Sequence, residues 1–202
     1  MRFIESIRYK DGSYHNLTLH QKRLTQTVRQ FMPGGSPVEL EKILPPLTLE
    51  GTYKVRLVYD VDDEDLHYDI EYSEYIPRKI QSLQLVASEP FDYSYKYEDR
   101  SRINAMVNRG SADDIIITMG NKITDGSYFN LVFWDGRRWL TPDTPLLNGI
   151  KRQQLLHSDQ IKEAPIIIDD LDAFEKVSLI NSMLDLQEVE VPVGQIKKIV
   201  QS

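Results

Sequence analysis

Residues 122–142, KITDGSYFNLVFWDGRRWLTP, constrain the fold of this chain more than any other segment, because they carry two Asp-Gly pairs within a dozen residues. The second pair, Asp135-Gly136, separates two runs rich in apolar residues, NLVFW and RRWL. That pattern predicts a hairpin with a two-residue turn whose central residues both have positive φ. A turn at the first pair, Asp125-Gly126, would leave only KIT as the preceding strand, so the carboxylate of Asp125 needs another explanation.

Composition excludes several classes of function. The chain has 202 residues, enough for one large domain or two small ones, and a net charge of −7 without a long cluster of Lys or Arg. A nucleic-acid or anionic-membrane partner is therefore not expected. No apolar run is long enough for a bilayer span or a signal peptide. The absence of cysteine excludes disulfides, thiolate nucleophiles and Cys-ligated metals, and we expect a cytoplasmic protein without a metal site.

Hydrophobic periodicity predicts a mixture of clustered strands and helices. In the N-terminal part we expect a hairpin over residues 3–16 with Asp11-Gly12 at its tip, helices over 18–31 and 38–44, and strands over 53–60 and 66–75 joined by a turn at 60–65. Asn16 or Thr18 can cap the first helix. In the C-terminal part we expect a strand within residues 76–90, helices over 99–109, 150–158 and 171–177, and strands over 113–118, 121–124, 128–134, 137–140, 177–182 and 188–193.

This order of elements favours an α+β fold with two subdomains rather than a strictly alternating α/β fold. We place the N-terminal subdomain at residues 1–80, the C-terminal subdomain at 88–202 and a connecting segment at 81–87.

Three positions stand out as candidates for chemistry. His20 leans onto the apolar face of its helix, and the simplest interpretation is a buried histidine bonded to backbone, with Arg23 as a solvated neighbour one turn later. Gly149 stands where a loop becomes a helix, so the backbone N–H groups of Ile150 and Lys151 can bind an anion such as phosphate, although every helix has such an end.

Lys96 lies in the aromatic segment YSYKYEDRS, close to a predicted helix start and to Arg100 and Arg102. Most lysines are solvent-facing. The positive end of a helix and nearby cations nevertheless disfavour the ammonium form, and a neutral lysine is the nucleophile that forms Schiff bases.

Several segments in order resemble the class IV aminotransferase family, the pyridoxal-phosphate enzymes of fold type IV. FIESIR, NLTLHQKRL, YKYEDRSRINAMV, KITDGSYFNLVFWDGRRWLTP, LLNGIKRQQLL and VSLINSMLDL each resemble a family motif, from near residue 3 to about residue 196. The family includes branched-chain aminotransferases, D-amino-acid aminotransferases and aminodeoxychorismate lyases. The most specific block is residues 122–156.

The resemblance implies pyridoxal 5′-phosphate as cofactor. Lys96 takes the position of the Schiff-base lysine that acts as general acid and base, and Asp125 the position of a family Glu that keeps the pyridine nitrogen protonated and so stabilises a carbanion at the substrate Cα. Arg23 takes the position of a phosphate-binding arginine. The backbone N–H groups of Ile150 and Lys151, with the Ser182 hydroxyl, would complete the phosphate site. A homodimer and an amino-acid-like substrate are expected on the same ground.

The departures from the family pattern bear on the reaction. The sequence starts at FIESIR, the segment that resembles the family's FETIR strand, so we expect a trimmed N-terminal subdomain. Asp stands at position 125, where the family has Glu. Ser101 stands where branched-chain enzymes have a Tyr. Lys96, Asp99 and Arg100 are closer to the Lys, Asn and Arg that the aminodeoxychorismate lyases have at the same spacing. We therefore expect a lyase that forms p-aminobenzoate and pyruvate. The alternatives are a branched-chain or D-amino-acid aminotransferase, and a non-catalytic relative that acts as a binding module.

Overall fold

The computed structural model describes residues 1–61 and 66–198. The chain divides into two compact units, one made of Met1–Ile76 with Tyr95–Asp99 and the other of Pro77–Ser94 with the chain from Arg100 onward. Leu83–Ala87, which lies in the segment expected to connect two subdomains, forms a strand of the second unit. The mixture of short helices and several mainly antiparallel sheets is the α+β architecture that the sequence predicts.

The first unit is a four-stranded sheet with a helix packed on it. Its elements are β1 (Arg2–Lys10), β2 (Ser13–Tyr14), α1 (Leu17–Phe31), α2 (Leu40–Ile43), β3 (Thr52–Val61) and β4 (Leu66–Glu74), and the sheet order is β2-β1-β3-β4. Alternate residues of β1 and β3 point towards α1, as Phe3 opposite Tyr59 and Ile7 opposite Val55 do. Their burial against Leu24 and other apolar residues of α1 forms the core of this unit.

Residues 95–99 join the first unit by pairing with the start of β1. The backbone N–H of Ile4 donates to the Lys96 carbonyl at 3.1 Å, and that of Glu98 donates to the Arg2 carbonyl at 2.9 Å. This edge pairing holds Lys96 next to the strand that carries Glu5.

The second unit contains two further sheets that share an apolar core. Its elements are β5 (Leu83–Ala87), α3 (Ser101–Val107), β6 (Asp114–Met119), β7 (Lys122–Gly126), β8 (Asn130–Trp134), β9 (Trp139–Pro142), α4 (Ile150–His157), β10 (Lys162–Ala164), β11 (Lys176–Ile180), β12 (Glu190–Pro192) and β13 (Ile196–Lys197), with 3₁₀ segments at Ile168–Ala173 and Val193–Gln195. The sheet orders are β10-β9-β8-β11-β12 and β13-β5-β6-β7. Side chains from both sheets, among them Ile116, Phe133 and Leu179, meet in the core.

Most predicted elements are present, with ends shifted by a few residues. The strand expected within residues 76–90 spans only Leu83–Ala87, and the helix expected over 99–109 spans only Ser101–Val107. The helix expected over 171–177 is wrong, because that region forms the 3₁₀ segment Ile168–Ala173 and then runs into β11. The predicted turn at 60–65 lies mostly outside the described residues. Asn16, one of the two residues predicted to cap α1, is its N-cap, and its side chain makes no capping hydrogen bond.

The two predicted Asp-Gly hairpin turns differ in detail. Asp11 and Gly12 have φ values of 52° and 78°, as the two-residue turn between paired Lys10 and Ser13 requires. At the second hairpin only Gly136 has positive φ, and the Asp135 N–H donates to the Arg138 carbonyl. The turn is therefore centred one residue later than predicted, because the Asp135 carboxylate accepts the backbone N–H groups of Arg137 and Arg138, each at 2.9 Å.

Within residues 1–61 and 66–198, no helix is both long and apolar enough to cross a membrane.

Candidate active site

A buried carboxylate organises the helix side of the first unit. Glu5 occupies a core-facing position of β1 and is fully buried. The Arg23 Nε donates to its Oε1 at 2.7 Å, and a terminal guanidinium nitrogen of Arg23 donates to Oε2. The His20 Nδ1 lies 2.5 Å from the same Oε2. His20 and Arg23 therefore do not serve as a backbone-bonded core histidine and a solvated arginine, because both turn inwards to Glu5.

The charges of this cluster are set by pairing. Burial raises the pKa of Glu5, but the charge of Arg23 and the hydrogen bonds from His20 and Arg23 outweigh burial and bring that pKa to about 2. Burial lowers the pKa of His20, and the charges of Arg23 and Lys96 lower it further against the opposing effect of Glu5. His20 is thus a neutral ring that donates from Nδ1 to the ionised Glu5. Its buried Nε2 has no hydrogen-bond partner within the described residues.

Lys96 lies in the segment that pairs with β1. Its backbone φ is 53°, a left-handed conformation that costs a non-glycine residue on the order of 1 kcal/mol. The contact between its carbonyl and the Ile4 N–H holds it in this conformation. Its charge acts on His20, so the predicted Schiff-base lysine and the predicted phosphate-binding Arg23 belong to one electrostatic cluster. Lys96 precedes α3 by several residues and is not at its first turn.

In the second unit, Asp125 lies in a strand and not in a turn. It belongs to β7, where Thr124 and Asp125 together oppose Ile117 of β6 in a bulge. The Thr124 hydroxyl donates to the Ile117 carbonyl at 2.7 Å. A bulge turns the side chain of the extra residue away from the alternation of a regular strand, and bulges are frequent beside functional sites.

Both carboxylate oxygens of Asp125 accept hydrogen bonds. The Asn130 Nδ2 donates to Oδ1 at 2.7 Å, and the Leu147 backbone N–H donates to Oδ2 at 2.9 Å. Gly126 makes this arrangement possible, because an added Cβ there would lie 1.9 Å from the ring of Phe129. That close approach lets the chain reverse between β7 and β8 and brings Asn130 back to Asp125.

The acidity of Asp125 is set by its burial. Removal from water raises its pKa to about 6, although the hydrogen bonds from Leu147 and Asn130 and the charge of Arg152 act in the opposite direction. A cation or a protonated base next to Asp125 would lower this raised pKa again and would keep the carboxylate ionised.

The helix α4 begins at Ile150, as predicted, with Gly149 as its N-cap and no side-chain cap. The first N–H groups of such a helix have no carbonyl partner within the helix. The side chain of Lys151 is nearly fully buried, and its Nζ donates to Asp185 Oδ1 at 2.5 Å and to Gln154 Oε1 at 2.8 Å. The ammonium group is therefore part of an ion pair beside the start of α4.

Ser182 lies in a tight turn that follows β11. The backbone groups of Asn181 and Leu184 bond to each other at each end of this turn, and the Asn181 Oδ1 accepts the N–H groups of Met183 and Leu184 at 2.7 and 3.0 Å. The turn holds Ser182 half-buried at its centre.

Sequence reasoning missed three residues that position the candidates: Glu5, Asn130 and Asn181. Glu5 could have been found, because it interrupts the apolar alternation of Phe3, Ile7 and Tyr9 with a carboxylate that must face the core. Asn130 and Asn181 could not, because their roles depend on residues that only the fold brings near.

Comparisons with known proteins agree with these motifs. Residues 2–191 match the model of the amino-transferase class IV family. An uncharacterized protein of Haemophilus influenzae is 34% identical over 181 residues, which cover 89% of this chain and 96% of that protein.

Solved structures with the same fold cover most of the chain. A protein of Haemophilus somnus 129pt, provisionally named a 4-amino-4-deoxychorismate lyase, is 30% identical with a TM-score of 0.83, covering 92% of this chain and 97% of that one. A hypothetical aminotransferase of Mycobacterium tuberculosis in its PLP-bound form is 18% identical with a TM-score of 0.76, covering 96% and 80% respectively, and is similar in fold alone. On the family match and the Haemophilus relatives, this chain belongs to the class IV aminotransferase family.

Proposed function

We propose that this protein binds pyridoxal 5′-phosphate and catalyses a lyase reaction on 4-amino-4-deoxychorismate, with p-aminobenzoate and pyruvate as products. The observation that carries the proposal is the Asp125 carboxylate, buried at a strand bulge with one hydrogen-bond donor on each oxygen. A buried acid with this support and a raised pKa is suited to binding a protonated ring nitrogen.

The donor groups of the chain fit this cofactor. The N–H groups of Ile150 and Lys151 at the start of α4 suit a phosphate, and the Ser182 hydroxyl is the further donor that the family resemblance suggests. The buried His20 Nε2, which has no partner among the residues that the structure describes, can accept a hydrogen bond, and the charge of Lys96 acts on the same ring. When bound, pyridoxal phosphate supplies an aldehyde that condenses with amines and a ring that withdraws electrons from the neighbouring carbon.

The chain's residues then have distinct roles. Lys96 is the catalytic residue: its Nζ is the amine that would hold the aldehyde of a bound cofactor and would then move a proton at the substrate Cα. Asp125 holds the proton on the pyridine nitrogen. Arg23 contributes N–H donors to the phosphate rather than net charge, because the ionised Glu5 already compensates its guanidinium.

Two observations favour the lyase over an aminotransferase. The segment with Lys96, Asp99 and Arg100 is closer to the lyase pattern of the family than to that of the branched-chain enzymes. The Haemophilus somnus relative, 30% identical over most of both chains, carries the lyase name. In such a reaction the substrate would lose the proton from its amine-bearing carbon and also its side group, which leaves as enolpyruvate and becomes pyruvate on taking up a proton. The amino group would stay on p-aminobenzoate, so no keto-acid acceptor would be required.

The test has two stages. Purified protein loaded with pyridoxal 5′-phosphate and freed of excess cofactor should be yellow, and borohydride should bleach it and leave the cofactor covalently attached to the protein. A binding module without a reactive lysine would carry no covalently attached cofactor after the same treatment. With 4-amino-4-deoxychorismate we expect equal amounts of p-aminobenzoate and pyruvate without added keto acid. Consumption of amino acids only when a keto acid is supplied would contradict the lyase proposal and favour an aminotransferase. Light scattering would test the homodimer that we propose by family analogy.

A further inference from the structure

We propose that Asn130 is a positioning residue that couples the acid at Asp125 to the start of α4, so that one side chain sets the spacing between the two ends of a bound cofactor. This inference rests on the proposed function for its relevance to pyridoxal phosphate. The coupling itself is a property of the protein alone and can be measured without a cofactor.

The amide of Asn130 joins two parts of the second unit. Its Nδ2 donates to Asp125 Oδ1 at 2.7 Å and to the Leu147 carbonyl oxygen at 2.8 Å, which uses both of its N–H bonds. The Leu147 N–H returns to Asp125 Oδ2 at 2.9 Å. The Asp125 carboxylate, the Asn130 amide and the Leu147 backbone therefore form a closed ring of three hydrogen bonds, so a shift of one of these groups strains the bonds to the others.

Gly149 extends this ring to the first turn of α4. Its φ of −64° and ψ of 151° are open to any residue, so the glycine is not needed for backbone conformation. It is needed for space, because an added Cβ would lie 2.1 Å from the Asn130 Oδ1. The amide of Asn130 thus packs directly against the N-cap of the helix whose first N–H groups belong to Ile150 and Lys151.

Coupling follows from this contact. Ionisation of Asp125 strengthens its hydrogen bonds to Asn130 and Leu147, because charged acceptors bind N–H groups more tightly than neutral ones. Any shift of the Asn130 amide is passed to Gly149 and so to the start of α4. A ligand that binds at either place should therefore change the other.

The first test uses the protein without cofactor. The pKa of Asp125, followed by carboxyl ¹³C NMR, should lie well above that of an ordinary aspartate in wild type and rise by about one further unit in Asn130→Ala, because a donor to the ionised form is lost. Asn104→Ala, an exposed asparagine of α3, is the matched control and should leave that pKa unchanged. An unchanged pKa in folded Asn130→Ala would overturn the proposal.

A second measurement needs no variant and decides the matter if Asn130→Ala does not fold. In wild type, the side-chain amide resonances of Asn130 should titrate with the pKa of Asp125 and should shift when inorganic phosphate is added. Amide resonances that respond to neither would contradict the coupling.

The third test uses pyridoxal 5′-phosphate. We expect its dissociation constant to rise about tenfold in Asn130→Ala and in Gly149→Ala, since the loss of one charge-assisted hydrogen bond has about that effect. Wild-type affinity in both folded variants would overturn the inference. Failure of wild type itself to bind would refute the proposed function instead and would leave the two cofactor-free measurements to decide the coupling.

Discussion

The guanidinium of Arg23 donates to the buried carboxylate of Glu5, with its Nε 2.7 Å from Oε1 and a terminal nitrogen on Oε2. Two of its five N–H groups are committed in this way. Arg23 therefore has a structural partner in the first unit, in addition to the phosphate that the family resemblance assigns to it.

Substitution of Arg23 should affect both stability and cofactor binding. Arg23→Ala leaves the Glu5 charge buried without its main partner, and we expect a loss of about 3 kcal/mol in the free energy of unfolding. Arg23→Lys keeps a positive charge but loses the pair of hydrogen bonds that the guanidinium donates to Glu5. This variant should fold and should bind pyridoxal 5′-phosphate about tenfold more weakly. Urea denaturation and titration of the cofactor-free protein measure the two effects.

Arg29→Ala, an exposed arginine on the same helix, is the control. Unchanged cofactor affinity in both Arg23 variants would contradict the assignment of Arg23 as a phosphate-binding residue.

Lys96 should be the lysine that borohydride fixes to the cofactor. Its charge acts on the buried His20, whereas Lys122 is exposed and Lys151 is held by Asp185. Mass spectrometry of peptides after reduction should find the label on Lys96 alone, and Lys96→Arg should carry no covalently attached cofactor after the same reduction. A label on Lys122 or Lys151 would show that the assignment is wrong.

The two Asp-Gly pairs provide a matched comparison. Asp125→Asn removes the charge that would hold a proton on the pyridine nitrogen, and we expect the chemical step to slow by about 10²-fold or more, roughly 3 kcal/mol. Asp135→Asn should be nearly silent, because an asparagine oxygen can still accept the N–H groups of Arg137 and Arg138. Single-turnover rates at saturating cofactor measure both. Equal rates in the two variants would contradict the proposal that Asp125 holds the proton on the pyridine nitrogen.

The raised pKa of Asp125 predicts a pH dependence of stability without cofactor. The folded-state pKa of about 6 exceeds the ordinary 3.8, so Asp125 stabilises the fold below about pH 4, and this contribution is lost as pH rises towards 6. Between pH 4 and pH 7, wild type should lose about 3 kcal/mol of unfolding free energy relative to Asp125→Asn, since each pKa unit corresponds to about 1.4 kcal/mol. The contributions of Glu5 and His20 are common to both proteins and cancel. Parallel stability curves would mean that Asp125 ionises normally.

The sequence by itself determined the elements and the family. Alternation of apolar residues predicted β3, helical spacing predicted α1, and the Asp11-Gly12 pair predicted the first hairpin with β1 as its first strand, because these features depend on residues close together in the chain. The motif order identified the family, and the shortness of KIT indicated that Asp125 is not in a turn.

Only the tertiary structure decided how the candidate residues are held. The Arg23–Glu5 pair joins a helix to a strand 18 positions away, and the Leu147–Asp125 contact spans 22 positions. The raised pKa of Asp125 follows from burial, and the space at Gly149 from the approach of Asn130. Local sequence patterns carry no information on such contacts, because burial and charge pairing arise only when distant segments pack together.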